Sequence, residues 1–371
     1  AALLGRLRRL ADANKQLRER ERATQAKLAA LLLPVPNLAS ADTPIGADAR
    51  GNQVLREVGE KPSFAFTPKP HWELGAKLGV LETERAAAVA GTRFAYLKGP
   101  LALVQFALLQ HALAITTSQQ KLQQIIVAAG LSVPPKPFVP VVPPVFVRPE
   151  VFGEMARLEP REERYYIPSD DVYLAGSAEH TLGPLHRGEI IPADALPARY
   201  VGYSTCFRRE AGSYGKDVRG MIRLHQFDKL EFESFTLPEH STAEQDFLVA
   251  VQEHLLRTLE LPYRVVQICT GDMGLPDARQ IDVETWMPGL GEYRETHSAD
   301  LNTDFQARRL QTQVRRPDGS VTFAHMNDAT AFAMGRTLAA VMENYQQADG
   351  NVRIPKVLQP FMPGSPSLLK A

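Results

Sequence analysis

Arg208, Arg209 and Glu210 lead into a glycine-rich basic loop, and Arg223, Phe227 and Glu231 follow on the returning segment. The pattern reads as a strand, a loop and a second strand. Alternation along the first strand puts Arg208 and Glu210 on one face, and Arg223, Phe227 and Glu231 share parity on the second. A sheet floor offering guanidiniums, an aromatic plate and carboxylates suits a nucleoside triphosphate. Arginine clamps phosphate through two parallel hydrogen bonds, phenylalanine stacks a base, and a carboxylate holds an ammonium. Taken alone, the same residues also describe a surface hairpin laced with salt bridges.

The elements that must position these residues are legible in outline. Residues 1–32 read as a helix, with Leu3, Leu10, Leu17 and Leu31 on one heptad position and Leu7 and Leu28 on another. Asn14, Glu21 and Thr24 interrupt the seam. The outer face is basic (Arg6, Arg8, Arg9, Lys15, Arg18, Arg20, Arg22 and Lys27), which fits a solvated coil face or a helix that touches phosphates. Pro34 and Pro36 stop it. The expected organisation is a coiled-coil remnant over 1–33, a linker over 34–60 and a catalytic domain over 61–371. Within that domain 71–90 and 101–129 look helical and 92–97 alternates like a strand. Residues 133–149 carry seven prolines, a density that favours extended edge or interface structure. Short β-rich segments follow at 172–175, 200–206, 224–235, 263–269 and 281–287, with helices expected at 241–259 and 330–348. Dominant strands with helices set apart predict an α+β fold, an antiparallel sheet flanked by helices, preceded by a partial N-terminal coiled-coil helix.

Composition narrows the function classes. The 371 residues carry 42 Lys+Arg against 42 Asp+Glu, so no global charge draws the chain to nucleic acid or a membrane, and any such contact must be local. Cys206 and Cys269 are too few for a disulfide framework or a Cys-rich zinc site and read as buried small hydrophobes. His71, His111, His186, His225 and His325 are scattered, and none pairs with a cysteine at metal-ligand spacing. The longest apolar run, 101–115, is interrupted by Gln105, Gln110 and His111 and is too short to span a bilayer. The expectation is a soluble, intracellular chain of the mitochondrial matrix or cytoplasm, with the Arg-rich, acid-poor start leaning to the organelle.

The 207–231 stretch resembles motif 2 of class II aminoacyl-tRNA synthetases, specifically that of the seryl-tRNA synthetases. Ser177-Ala178-Glu179 stands where that family has its Thr-x-Glu serine loop, and Leu185-His186-Arg187-Gly188-Glu189-Ile190 follows as the family has it. Thr270-Gly271-Asp272-Met273-Gly274, Tyr293-Arg294-Glu295-Thr296-His297-Ser298 and Thr303-Asp304-Phe305-Gln306-Ala307-Arg308-Arg309 also look like family signatures. Motif 1 is placed at about 138–150, motif 2 at about 200–232 and motif 3 at about 327–346. The resemblance covers roughly residues 33–362.

The resemblance implies the class II fold, ATP and Mg2+ as cofactors, and charging of serine tRNA through seryl-adenylate by an ATP-dependent ligase. It makes Arg208, Glu231 and Arg336 the catalytic residues. Arg208 would hold the ATP α-phosphate, Phe227 and Arg336 would sandwich adenine, and Arg223 would steer the outer phosphates. Arg209, Glu210, Thr296 and His297 complete the nucleotide set, and Glu295 and Ser298 would ligate Mg2+. Ser177, Ala178, Glu179, Glu231 and Thr330 would read serine. A homodimer through motif 1 is implied, with serine and serine tRNA as partners.

Three departures stand out. Asp328 occupies the position of a family Asn, unless Asn327 is that residue with one residue inserted after it. Ala299-Asp300 replaces Cys-Ser. Only about 32 residues precede Pro34, one helix of the tRNA-binding arm without its partner. These motivate a second reading, a retired synthetase paralogue serving a larger assembly, and a third, an adenylating homologue that hands serine to a carrier-protein thiol.

Overall fold

Eight strands drawn from most of the chain length form one sheet. They are β1 (Gln53–Val58), β2 (Val139–Val141), β3 (Ala198–Phe207), β4 (Gln226–Thr236), β5 (Tyr263–Gln267), β6 (Arg279–Met287), β7 (Glu292–Thr303) and β8 (His325–Ala333). The order is β1-β5-β6-β7-β8-β4-β3-β2. Every neighbouring pair is antiparallel except β2 with β3. The computed structural model describes residues 2–210 and 219–370; residues 211–218, most of the glycine-rich motif 2 loop, lie outside the described residues.

Among the described residues, seven helices of at least seven residues accompany the sheet. They are α1 (Ala2–Leu32), α2 (His71–Lys77), α3 (Thr83–Ala90), α4 (Pro100–Thr116), α5 (Gln119–Ala128), α6 (Ser241–Thr258) and α7 (Met334–Asn344), beside shorter ones. Helices α4, α6 and α7 pack against the sheet around Phe232, Phe247, Phe332, Leu338 and Val341, all buried. The α+β expectation is met. Both cysteines are free and buried. No single helix among the described residues is long and apolar enough to cross a membrane. The leucines of α1 are exposed, Leu3, Leu10 and Leu17 among them, so its apolar stripe has nothing packed on it among the described residues.

Several sequence expectations change. The 34–60 linker contains β1, which joins the sheet edge by pairing with β5. Its polar residues suit this position because an edge strand is half solvated. The single helix expected over 71–90 is two, separated at Gly79, whose φ of 64° ends the first. The helix over 101–129 also divides, and α4 and α5 bend by 79°. Ser118 begins the second piece by accepting from Lys121 N–H (3.4 Å). Of 92–97 only Tyr96–Leu97 is a strand. The helix expected over 330–348 starts only at Met334, because Thr330 and Phe332 are taken up in pairing with Glu231 and Leu230. Strand β7 had been legible only as a motif.

The proline-rich stretch is extended, with β2 at the sheet edge. Arg199 ties this stretch to the core. It donates to the carbonyls of Pro134 and Lys136 (2.8 Å each) and makes a two-pronged ion pair with Glu244 (2.6 and 2.7 Å).

The ladder between β7 and β8 stops at Ala299–Ala329, and beyond it the two strands part. That leaves backbone carbonyls without ladder partners. Gln252, from α6, donates to both Ser298 O (2.7 Å) and Thr330 O (2.8 Å). One helical turn pair away, Gln245 does the same for Arg279 O and Ala299 O. Replacing Gln252 by Leu keeps the volume and strands both carbonyls, so Gln252→Leu is expected to cost about 1–3 kcal/mol per carbonyl, read by urea denaturation.

Candidate active site

Where β7 and β8 part, a cavity of about 470 Å³ opens on the sheet. Arg208, Glu210, Arg223, Phe227, Glu231, Glu295, Thr296, Ser298, Thr330 and Arg336 all line it, together with Glu179. The sequence-predicted residues therefore converge, although they span 158 positions from Glu179 to Arg336 counted inclusively.

One end of the cavity is basic and aromatic. The Arg208 guanidinium lies 5.4 Å from the Phe227 ring centroid, and its Nε donates to Gly176 O (2.9 Å). Arg336 approaches from α7 and donates through Nη1 to the Glu295 backbone carbonyl (2.9 Å) and carboxylate (2.9 Å). Arg223 is bonded to Glu210. Arg208 and Glu210 are not placed by strand alternation as expected: β3 ends at Phe207, and Glu210 has a positive φ of 51°. A buried relay holds the far side of the loop. Met221 N–H donates to His71 Nε2 (2.9 Å), so Nδ1 carries the proton toward Glu343 (2.7 Å).

Glu295 and Ser298 reach the same cavity through a β-bulge. Val283 pairs with His297 and Glu284 with Glu295, leaving Thr296 as the extra residue. Strict alternation would have put the two on opposite faces. Two predicted nucleotide residues point elsewhere. The buried His297 ring sits 5.9 Å from Phe332 in the core, where burial pushes its pKa down to about 3. Arg209 lies over Tyr165 (5.5 Å) instead of the cavity. The Thr296 hydroxyl bonds Thr285 (2.7 Å).

The opposite end is acidic. Glu231 accepts from the Ser177 hydroxyl, from Glu179 N–H (3.3 Å) and from Lys229. Ala178 is buried behind this wall. Glu179 accepts from Arg157 Nε (2.6 Å). Burial pushes the Glu179 carboxyl up, but Arg157 foremost, joined by His180 and Lys229, outweighs it and holds the pKa at about 2. Arg157 and Lys229 were missed from sequence. Lys229 shares strand parity with Phe227 and Glu231 and could have been found; Arg157 carries no such signal.

Asp328, not Asn327, faces the cavity. Its partner across the sheet is Glu233 on one side and Asp300 on the other, so three carboxylates stand in one cross-strand row. Asp328 accepts from Asn302 Nδ2 (2.6 Å) and Asp300 from the Ser298 hydroxyl (3.0 Å). Burial, then the neighbouring carboxylates, pushes Glu233, Asp300 and Asp328 well above the usual carboxylate range. Asp328 sits with the acidic end rather than against Arg208, Arg223 and Arg336.

A strand floor with this basic-to-acidic cavity defines a class II synthetase core. Residues 164–345 match the profile of the tRNA synthetase class II core domain (G, H, P, S and T). The serine–tRNA ligase of Thermobifida fusca (strain YX) is 43% identical over 362 residues, 97% of this chain and 81% of that protein. That of Thermotoga maritima is 42% identical over 335 residues, 89% and 75%. Among solved structures, seryl-tRNA synthetase from Pyrococcus horikoshii complexed with ATP superposes with a TM-score of 0.88 at 34% identity, covering 99% of this chain and 83% of that one. The cytoplasmic enzyme of Naegleria fowleri in complex with AMP gives 0.83 at 31%, covering 96% and 81%. The chain belongs to the seryl-tRNA synthetase family.

Asp328 keeps its proton in the folded protein at a pH where the unfolded chain, with a pKa of about 4, has lost it. Its contribution to stability is full below that value and fades as pH rises toward the folded value. Asparagine does not titrate. Asp328→Asn is therefore expected to gain on the parent as pH rises above about 4, by up to about 1.4 kcal/mol per pH unit, measured as paired denaturation curves.

Proposed function

We propose that the chain is a serine–tRNA ligase that activates serine with ATP to seryl-adenylate and transfers it to the 3′ end of serine tRNA. One observation carries the reading: Arg208, Phe227 and Arg336 share a single cavity with Glu231, Glu179 and Thr330. ATP would lie over Phe227 with its base between that ring and Arg336. Its α-phosphate would sit at Arg208, and serine would lie against Glu231 and Glu179. The serine carboxylate then attacks the α-phosphorus and pyrophosphate leaves. Negative charge builds on the α-phosphate oxygens, where the Arg208 guanidinium is already fixed by Gly176 O, so catalysis is positioning plus electrostatic stabilisation. Ser177 and Thr330 supply hydroxyls beside Glu231 to read the substrate hydroxyl.

Glu295 and Ser298 offer a carboxylate and a hydroxyl to the same space, hard oxygens that fit Mg2+. They would hold the ion, which when bound neutralises phosphate charge. A homodimer would form across the sheet edge at β2, where Val139, Val142 and Phe146 are exposed. The basic face of α1 would meet tRNA phosphates. Its Arg-rich, acid-poor composition leans toward the mitochondrial matrix over the cytoplasm. The retained set of phosphate, base and serine contacts favours a working enzyme over a retired scaffold.

Serine-dependent ATP–pyrophosphate exchange on the purified chain tests this reading. Exchange is expected with the parent and should fall roughly 10²–10³-fold in Arg208→Ala, while tRNA charging follows in parallel. A folded protein without exchange would refute it.

A further inference from the structure

The amino-acid end of the cavity gathers more carboxyl groups than serine can use. Glu179, Glu231 and Asp328 each place an oxygen within 4.8 Å of the others, and Asp300 lines the same space. Glu233 stands directly across the ladder from Asp328, so both side chains leave the sheet on one face. Glu233 is fully buried, and neither of its oxygens has a hydrogen-bond partner among the described residues. Asp277 adds a sixth carboxylate beside Arg157 (3.7 Å). The cations set among them are Arg157 and Lys229. Serine brings one ammonium, and its side chain is neutral.

Like charges directly opposite one another weaken a sheet, and buried charge without a partner is expensive. A row of acids maintained under a substrate cavity is accounted for by a substrate that brings positive charge to it. We propose that this site also activates a short diamino acid, one bearing an ammonium one or two methylenes from its α-carbon where serine bears a hydroxyl. The proposal rests on the adenylating-ligase reading and extends its substrate class.

The donor set favours an ammonium over a metal ion. Glu179 already accepts from Arg157, Glu231 from Lys229 and Asp328 from Asn302. A divalent ion would compete with two fixed cations for those oxygens. An ammonium brings three N–H donors and needs only spare lone pairs. The carboxylates would also keep the side-chain amine protonated, which prevents it from attacking its own activated carbonyl. The reaction is otherwise unchanged: the carboxylate oxygen bonds to the α-phosphorus, the α–β bridging bond breaks, and pyrophosphate leaves with its electron pair.

The test is ATP–pyrophosphate exchange with serine, 2,3-diaminopropionate, 2,4-diaminobutyrate and alanine, on the parent and on Asp328→Asn. Thermal shift with each amino acid plus ATP, and with Mn2+ alone, runs alongside. Expected is a kcat/KM for one diamino acid within about tenfold of serine or above it, and a diamino-to-serine ratio that falls roughly tenfold or more in Asp328→Asn, as loss of a charged hydrogen-bond partner requires. Serine exchange with diamino acids more than tenfold below it overturns the inference and leaves the ligase reading standing. An unchanged ratio in a folded Asp328→Asn overturns it as well. So does a thermal shift with Mn2+ alone that disappears in that variant. If no amino acid supports exchange, the ligase reading fails. A thermal shift specific to a diamino acid would then still uphold this binding site, and its absence would overturn it.

Discussion

The site exists because two adjacent strands separate. Beyond Ala299–Ala329, β7 and β8 stop exchanging hydrogen bonds, and the carbonyls released there would be costly if left unpaired inside the molecule. Gln252 meets two of them from the helix behind the sheet. Because α6 satisfies this gap, the front of the sheet can open into a cavity without melting the sheet. Glu295 and Ser298 on one lip, and Thr330 on the other, owe their positions to that opening. The β-bulge at Thr296 then turns Glu295 to the same side as Ser298. A continuous ladder would have filled the space with backbone and left nothing for a substrate to enter.

Charge is sorted along this cavity. Arg208, Arg223 and Arg336 gather at one end, and Glu179, Glu231, Asp300 and Asp328 at the other. A phosphate chain and an amino acid need opposite surroundings, and the two ends provide them within one space. The strands impose this sorting, since β4 runs from Phe227 at the basic end to Glu231 and Glu233 at the acidic end. The cost is that burial pushes Glu233, Asp300 and Asp328 well above the usual carboxylate range. Arg157 anchors the group from a segment outside the main sheet, and with His180 and Lys229 it offsets the burial of Glu179 and keeps that carboxylate ionised.

Other parts of the molecule serve the same geometry. The His71–Glu343 relay holds the chain as it leaves the motif 2 loop. Arg199 and Glu244 fasten the proline-rich edge to the core, which fixes the face available at β2. Helix α1 contributes nothing to this core. Its leucines and basic residues are exposed.

Local chemistry was legible because it lies in short contiguous runs. Arg208 to Glu231, Glu295 to Ser298 and Gly335-Arg336 announce nucleotide handling by residue type alone, and alternation in 200–206, 224–235 and 281–287 announced the strands that carry them. The α+β class and the proline-rich edge followed from the same reasoning. Tertiary structure decided what periodicity cannot encode. Bulges at Thr296 and beside Glu231 reset which side chains face the cavity, sending His297 into the core. Arg157 joins the site only through a side-chain contact between distant segments. The 34–60 stretch looked like a linker because an edge strand needs no strong apolar pattern. A sequence records the preferences of neighbouring residues, whereas the site is made by contacts between segments that meet only when the sheet closes.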